Sequence, residues 1–333
     1  MTSDNPDEDS GPDLSIILVT DHSFEPLRNT VRALAGQTVR ERLEIIFVCP
    51  SKTSLGLPDG DLIGFESIRV IELGEVRTTS AARVAAIEVA RAPIVALGED
   101  HAFPEPGWAE ALIKAHRQPW AAVGPALINA NPGAVSWVAM VMDYGRWVEP
   151  VKSGIIDDIP GHNSSWKRSV LLEYGPRLEA MLPAPTFLNW DLQARGYQLY
   201  LEPAAKIRHM QVSRLWPCMV EQFHVARLFP AERARDWPWY RRLFYVCGMP
   251  VLLFRNVRGW LGHFRRIDPT GGTLLKASPV LFLMVLVWGI GEILGYSFGI
   301  GKAQERTLTF DLNRARHVTS RDRELLAARF GEV

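Results

Sequence analysis

Apolar residues come along this chain in short blocks that switch between two periods. "LSIILVT", from Leu14, is a nearly continuous apolar run of strand length, as expected of a strand buried on both faces. "EPLRNTVRALAGQ" then sets Leu27, Val31 and Leu34 at helical spacing before Gly36. "LEIIFVCPS" and "SIRVIEL" repeat the strand signal, and "TTSAARVAAIEVARA" is an alanine-rich helix opened by Thr and Ser. "PIVALGED" is the next strand, and "GWAEALIKAHRQ" and "WAAVGPALI" add a helix and a strand. Strands alternating with helices predict a parallel, doubly wound α/β sheet, Rossmann-like, running at least to residue 128. Ligands of such sheets sit beyond the carboxyl ends of the strands.

One block ends in chemistry. "IVALGEDHAFPEPGW", residues 94–108, stops at Glu99, Asp100 and His101, three ligating side chains at the rim of the sheet. Hard cations such as Mg2+ or Mn2+ take oxygen ligands, and a cation held there would neutralise charge on a diphosphate leaving group. A solvated loop after a buried strand reads the same way.

Composition narrows the picture. The chain of 333 residues is 47% hydrophobic and 22% charged, which suits one large globular domain or two smaller ones. Lys plus Arg and Asp plus Glu number 37 each, so no global field recruits nucleic acid, and none is expected as a partner. Cys49, Cys218 and Cys247 are too widely spaced for a CxxC zinc site and, being odd in number, speak against a disulfide framework. A reducing cytoplasm fits. The first 13 residues carry five acids and no base, the opposite of a signal peptide, and are expected to form a disordered acidic tail.

Four stretches, in this order, resemble the family 2 glycosyltransferases, which have the GT-A fold, over roughly residues 14–210: "SIILVTDHSFEPLRNTVRALAGQT", "LEIIFVCPS", "TTSAARVAAIEVARAPIVALGEDHAFPEPGW", and "GHNSSWKRSVLLEYG" followed by "LNWDLQARGYQLYLEPAAKIRHM". The resemblance implies a nucleotide-sugar donor, a divalent metal (Mg2+ or Mn2+) and transfer of a hexose to an acceptor hydroxyl with inversion at the sugar carbon. It puts Thr20, Asp21 and Ser51 on the nucleotide, with Arg83, Glu99 and Asp100 also on the donor. Asp100 and His209 become the metal ligands, and Gly98 stands where many members have another Asp. His162, Asn163 and Trp166 fall on the acceptor side, where Trp166 could stack on a sugar ring; a polar helix start would look similar. Two departures follow. "VCPS" lacks the aspartates that usually end the second strand, and the usual position of the catalytic base falls near Ala184 and Pro185, neither of which can accept a proton. Asp191 and Glu179 are the nearby acids.

Beyond residue 211 the composition shifts. Nine arginines stand between Arg227 and Arg266 against Glu232 and Asp236, interleaved with Trp237, Trp239 and Trp260. Such a mixture binds nucleic acid or anchors a protein at an anionic membrane. "SPVLFLMVLVWGIGEILGYSFGIG", residues 278–301, is long enough to cross a hydrocarbon core and has Glu292 as its one charge, which favours the membrane. A buried helix pair in a soluble domain is the other reading.

The chain is therefore expected to consist of a tail (1–13), a GT-A domain (14–210), a basic, aromatic juxtamembrane helical region (211–270) and a C-terminal membrane segment with its tail (271–333). It reads as a metal-dependent glycosyltransferase on the cytoplasmic membrane, facing the cytoplasm. Its acceptor would be lipid-linked or a polysaccharide, with partners in envelope biosynthesis. The alternative is a catalytically impaired GT-A-like scaffold that binds nucleotide or glycan at the membrane.

Overall fold

The structure, a computed structural model, describes residues 11–331 apart from 59 and 61. Most of the expected acidic tail, residues 1–10, lies outside the described residues. The chain opens with β1 (Leu14–Val19), α1 (Arg28–Ala35), β2 (Leu43–Cys49), α2 (Lys52–Leu55), β3 (Ser67–Glu72) and α3 (Thr79–Val89). Next come β4 (Ile94–Leu97), β5 (Ala102–Pro104), α4 (Trp108–Ala115), β6 (Ala122–Asn129), α5 (Ala134–Tyr144) and β7 (Gly154–Ile156). β8 (Ser165–Lys167), α6 (Arg168–Leu172), α7 (Leu178–Met181), α8 (Pro185–Ala194) and β9 (Leu199–His209) complete the sheet. The helices α9 (Leu215–Arg233), α10 (Trp239–Cys247), α11 (Met249–Ile267), α12 (Gly272–Phe298), α13 (Ala303–Asp311) and α14 (Ser320–Phe330) follow.

Two compact units result. The first runs to Glu99 and takes in Phe103–Pro125 and Ser153–Ile207; the second comprises Asp100–Ala102, Ala126–Lys152 and the chain from Arg208 onward. The first is built on a sheet of order β3-β2-β1-β4-β8-β6-β9-β5, with β7 against β9. β1 pairs in parallel with β2 and β4, and β2 with β3, as the apolar blocks predict. Every residue of β1 and β2 is buried. β8 runs antiparallel to both β4 and β6, so the sheet is mixed rather than wholly parallel. The loop from β7 delivers this three-residue strand, and no crossover helix intervenes to bring it in parallel.

In the second unit α5, α9, α11 and α12 share one apolar core, with Val138, Cys218, Trp260, Phe264, Leu281 and Met284 among its buried side chains. This core includes helices on both sides of residue 270, so the packing does not break there. The apolar pattern of "AVSWVAMVMDY" in α5 is thereby accounted for.

Candidate active site and metal-ligating group

The strand β4 ends where its neighbours leave no room. Gly98 N donates to Ile17 O at 2.9 Å, and a Cβ on Gly98 would lie 2.6 Å from Leu18 Cδ2. A side chain cannot be accommodated without movement, so the first polar side chain beyond the strand is Glu99.

The Glu99 carboxylate is buried and held by residues of the same unit. Asn163 Nδ2 donates to Oε2 at 2.7 Å, and His162 Nδ1 lies 3.2 Å from Oε1. Thr30 Oγ1 donates to the Glu99 carbonyl at 2.9 Å, fixing the backbone. His162 Nδ1 is also 2.9 Å from Arg83 Nη2, so its tautomer decides whether it accepts from the guanidinium or donates to the carboxylate. Arg83 is itself buried on α3, whose N-cap Thr78 accepts from Ala81 N at 3.1 Å. Asn163 has φ 62°, a left-handed conformation that no other non-glycine residue takes among the described residues. Such strain costs about 1–3 kcal/mol. Leaving a buried polar atom without a partner costs a similar 1–3 kcal/mol, so the bond to Glu99 offsets the backbone conformation that makes it.

The second unit holds two buried histidines. His101 and His209 are fully buried, with ring centroids 4.7 Å apart and planes at 89°. Asp100 Oδ1 holds His101 Nδ1, and Gln211 Nε2 holds His209 Nδ1 at 2.9 Å. Asp100 accepts from His101 Nδ1 and so leaves His101 Nε2 to ligate, the arrangement by which outer partners orient metal-ligating imidazoles; the Gln211 amide donates to His209 Nδ1, so His209 offers Nε2 only with that amide turned over and its oxygen accepting from Nδ1. Ligand atoms of Glu99, His101 and His209 lie within 4.8 Å of one another. The resemblance had assigned Asp100 and His209 as ligands. His209 joins the group, while Asp100 stands behind His101 as its hydrogen-bond partner.

The remaining expected site residues are scattered. Thr20 and Ser51 end neighbouring strands: Thr20 Oγ1 donates to Ser23 O at 3.0 Å, and Ser51 caps α2 by accepting from Ser54 N at 3.1 Å. Asp21 is half-buried beside His22. Trp166 is 1% exposed and sits within β8 opposite Val95 and Ala122, which puts its ring in the core rather than on a face where a sugar could stack. Asp191 accepts from Tyr174 Oη at 2.8 Å and pairs with Arg195 at 2.6 Å; burial, and then the Asp191 bond, push the Tyr174 hydroxyl well above its usual range. Glu179 is exposed on α7.

Another acid lies close to α8. Asn189, fully buried on that helix, donates Nδ2 to Asp158 Oδ1 at 2.5 Å and to Ile159 O at 2.9 Å. Gln193 donates to Asp157 O at 2.7 Å. Gly161 lies so close to Pro185, the first residue of α8, that a Cβ would come within 1.9 Å of its Cγ. The loop from β7 to β8 therefore runs along α8, meeting Asn189 at Asp158 and the helix start at Gly161, and carries His162 and Asn163 to Glu99. Sequence reasoning missed Asp158 and left His101 out of the ligand set. The signals were present, as "DDIPGHN" and as a histidine directly after two acids.

A family model described as glycosyl transferase family 2 matches residues 15–175. No curated protein matches the chain.

Proposed function

We propose, from the premise that residues 15–175 of this chain belong to glycosyl transferase family 2, that the protein moves a hexose from a nucleotide-sugar to a hydroxyl of a membrane-proximal acceptor, lipid-linked or polysaccharide, with inversion at the sugar carbon. The observation that carries this reading is the buried group of Glu99, His101 and His209 at the end of β4, with Arg83, His162 and Asn163 fixed around Glu99.

Two imidazoles and a carboxylate suit Mn2+ better than Mg2+, which favours an all-oxygen shell. Glu99, His101 and His209 would hold the ion, and when bound it would supply neutralisation of the charge that develops on the departing diphosphate. Arg83 offers a guanidinium to phosphate oxygens from the adjoining helix. Thr20, Asp21 and Ser51, at the ends of β1 and β2, are the nucleotide-side groups. In the transfer, the acceptor oxygen attacks the anomeric carbon opposite the diphosphate. The bond from that carbon to the phosphate oxygen breaks with its electron pair, and the hydroxyl proton passes to a carboxylate.

For that proton acceptor we favour Asp158 over Asp191 and Glu179. Asp191 is committed to Arg195 and Tyr174, and Glu179 sits exposed on α7. Asp158 is tied by Asn189 about one turn into α8, the helix at whose start the family resemblance expects an acid. General-base catalysis contributes about 10²–10⁴-fold. Asp158→Asn keeps an acceptor for Asn189 Nδ2, so kcat should fall about 10³-fold with donor-dependent thermal stabilisation in Mn2+ unchanged. Nucleotide release is the assay. Unaltered kcat in this variant would remove Asp158 from the role. Donor binding without turnover in the parent chain would favour the impaired scaffold, for which Pro185 at the start of α8 is the supporting observation. No binding of any donor would remove the transferase reading. The supply of nucleotide-sugars in the cytoplasm supports a catalytic unit facing that compartment, attached to the membrane through the C-terminal helices, with envelope-biosynthesis proteins as partners.

A further inference from the structure

α12 is, among the described residues, the helix long and apolar enough to cross a membrane, yet its two sides differ. Ala277, Leu281, Met284, Gly291 and Gly295 are buried along one side. Leu275, Phe282, Leu286 and Ile290 are exposed at spacings of seven and four residues, a single stripe of the opposite side.

The buried side ends in glycines because α9 runs against it at backbone distance. A Cβ on Gly291 would lie 2.5 Å from Phe223 O, and one on Gly295 would lie 2.7 Å from Arg227 O. α9 brings charge with it. Glu221 pairs with Arg314 at 3.0 Å, Arg227 Nε donates to Gly299 O at 2.6 Å, and Glu232 and Arg233 close the helix. A bilayer surrounding α12 would enclose the Glu221–Arg314 pair, two residues before the Phe223 carbonyl that meets Gly291, at hydrocarbon depth, where ionised side chains are disfavoured. Glu292, which sits awkwardly in a spanning segment, accepts here from Trp288 Nε1 at 2.9 Å.

The outward side continues onto the two preceding helices. Trp239, Tyr240 and Phe244 on α10, Phe254 on α11, and Phe282 on α12 are 63 to 74% exposed. Between Trp239 and Ile267 there are six arginines and neither Asp nor Glu. Arg241 lies 4.0 Å over the Trp237 ring, and Arg233 lies 5.2 Å from it, a cation and aromatic pairing placed at the start of this face. Exposed aromatics with arginines and no acid complement a surface that is negative above and apolar beneath. A second copy would set arginine against arginine.

We infer that the outward face of α10, α11 and α12 docks on an anionic lipid bilayer, with α12 lying along the surface rather than across it. This deepens the membrane part of the proposed function and does not depend on the transferase part, since vesicle binding needs no turnover.

Cys247 supplies a native probe, being the exposed one of the three cysteines and lying three residues after Phe244 on α10. With full-length protein, vesicles of 30% phosphatidylglycerol in phosphatidylcholine, roughly the anionic load of a biological leaflet, should float the protein and slow Cys247 labelling by a membrane-impermeant maleimide at least about tenfold. Pure phosphatidylcholine should do so weakly, and Phe244→Ser with Phe254→Ser should abolish the effect. In inverted membrane vesicles from expressing cells, a Glu305→Cys variant, just past α12, should label without detergent. Labelling of that site only after detergent would mean that α12 spans, and would overturn the inference. Protection of Cys247 without vesicles would overturn it in favour of a contact between copies, and absence of flotation or protection with anionic vesicles would overturn it outright.

Discussion

At the end of β4 polar side chains are buried, whereas on the outer side of α10 to α12 large apolar ones are exposed. Glu99, His101 and His209 have almost no contact with solvent, and Trp239, Phe244 and Phe282 have a great deal. Each region inverts the usual partition of residue types, and such inversions are the informative kind. The difference lies in how each is sustained. The buried polar group is held by a dense set of hydrogen bonds, several made by residues distant in sequence, such as Asn163 to Glu99 and Thr30 to Glu99. Among the described residues, the exposed apolar face has nothing built against it; the inner side of α12 is packed, by glycines against a helix backbone. One region is a compact, hydrogen-bonded group and the other is a broad surface, so substitutions should act sharply at the first and additively at the second.

The largest expected effect tests the first half of that comparison. Glu99→Gln keeps the volume and the contact with Asn163 but removes the charge, and turnover should fall about 10³-fold or more, roughly 4 kcal/mol of transition-state stabilisation. Steady-state nucleotide release with Mn2+ measures it. An accompanying loss of Mn2+ binding by calorimetry would tie the effect to the ligand group. If turnover survives within threefold, the buried group is structural and the comparison loses its first term.

Much of the sheet is legible in the sequence, because β1, β2 and β4 are continuous apolar runs and α1 and α3 show helical spacing. β8 is not legible, since three residues carry no periodicity and the strand's direction depends on the path of the loop before it. The site is legible to the nearest few residues only. Sequence places Glu99, Asp100 and His101 together at a strand end, but all three are buried, and the partners that fix Glu99, namely Thr30, Asn163 and His162, lie far away along the chain. The link from Asp158 to Asn189 is hidden for the same reason. The length and composition of α12 read as a membrane span because both count apolar residues without regard to side. Gly291 and Gly295, which mark the side covered by α9, look in sequence like ordinary small residues.

That covered side gives the next effect in size. Gly291→Ala would place Cβ against Phe223 O and within 2.9 Å of the Ala226 Cβ. Overpacking of this kind costs typically about 1–3 kcal/mol, so unfolding in detergent should move several degrees lower. Phe282→Ser, on the outer side of the same helix, should change stability by no more than about 0.5 kcal/mol while weakening vesicle binding. Equal destabilisation by the two would mean that the outer side is covered as well.

The smallest effect separates the two units by pH. In the helical unit, Asp143 on α5 is half-buried with its carboxylate turned inward beside Glu221, and Gln222 Nε2 donates to it at 2.9 Å. Burial first, and then the Glu221 charge, push its pKa from 3.8 up to about 7. Between those values the folded unit keeps a proton that the unfolded chain has lost, so this contribution is complete below about pH 4 and is lost as pH rises towards 7. In the sheet unit, His116 is buried against Ser165, and burial lowers its pKa from 6.5 to about 4. Its contribution runs the other way, complete above pH 6.5 and lost as pH falls towards 4. Asp143→Asn retains an acceptor for Gln222 and removes the ionisation. It should raise the stability of the helical unit at pH 8 by about 1–2 kcal/mol, a discounted share of the shift because Arg314 lies close to the pair. At pH 4 it should have little effect. Hydrogen exchange resolved by segment, followed from pH 8 to pH 4, would show protection rising in α5 and α9 of the parent chain while it falls around β8 and α4. In the variant the first trend should weaken and the second persist, because His116 still titrates in the sheet unit while position 143 no longer does in the helical one.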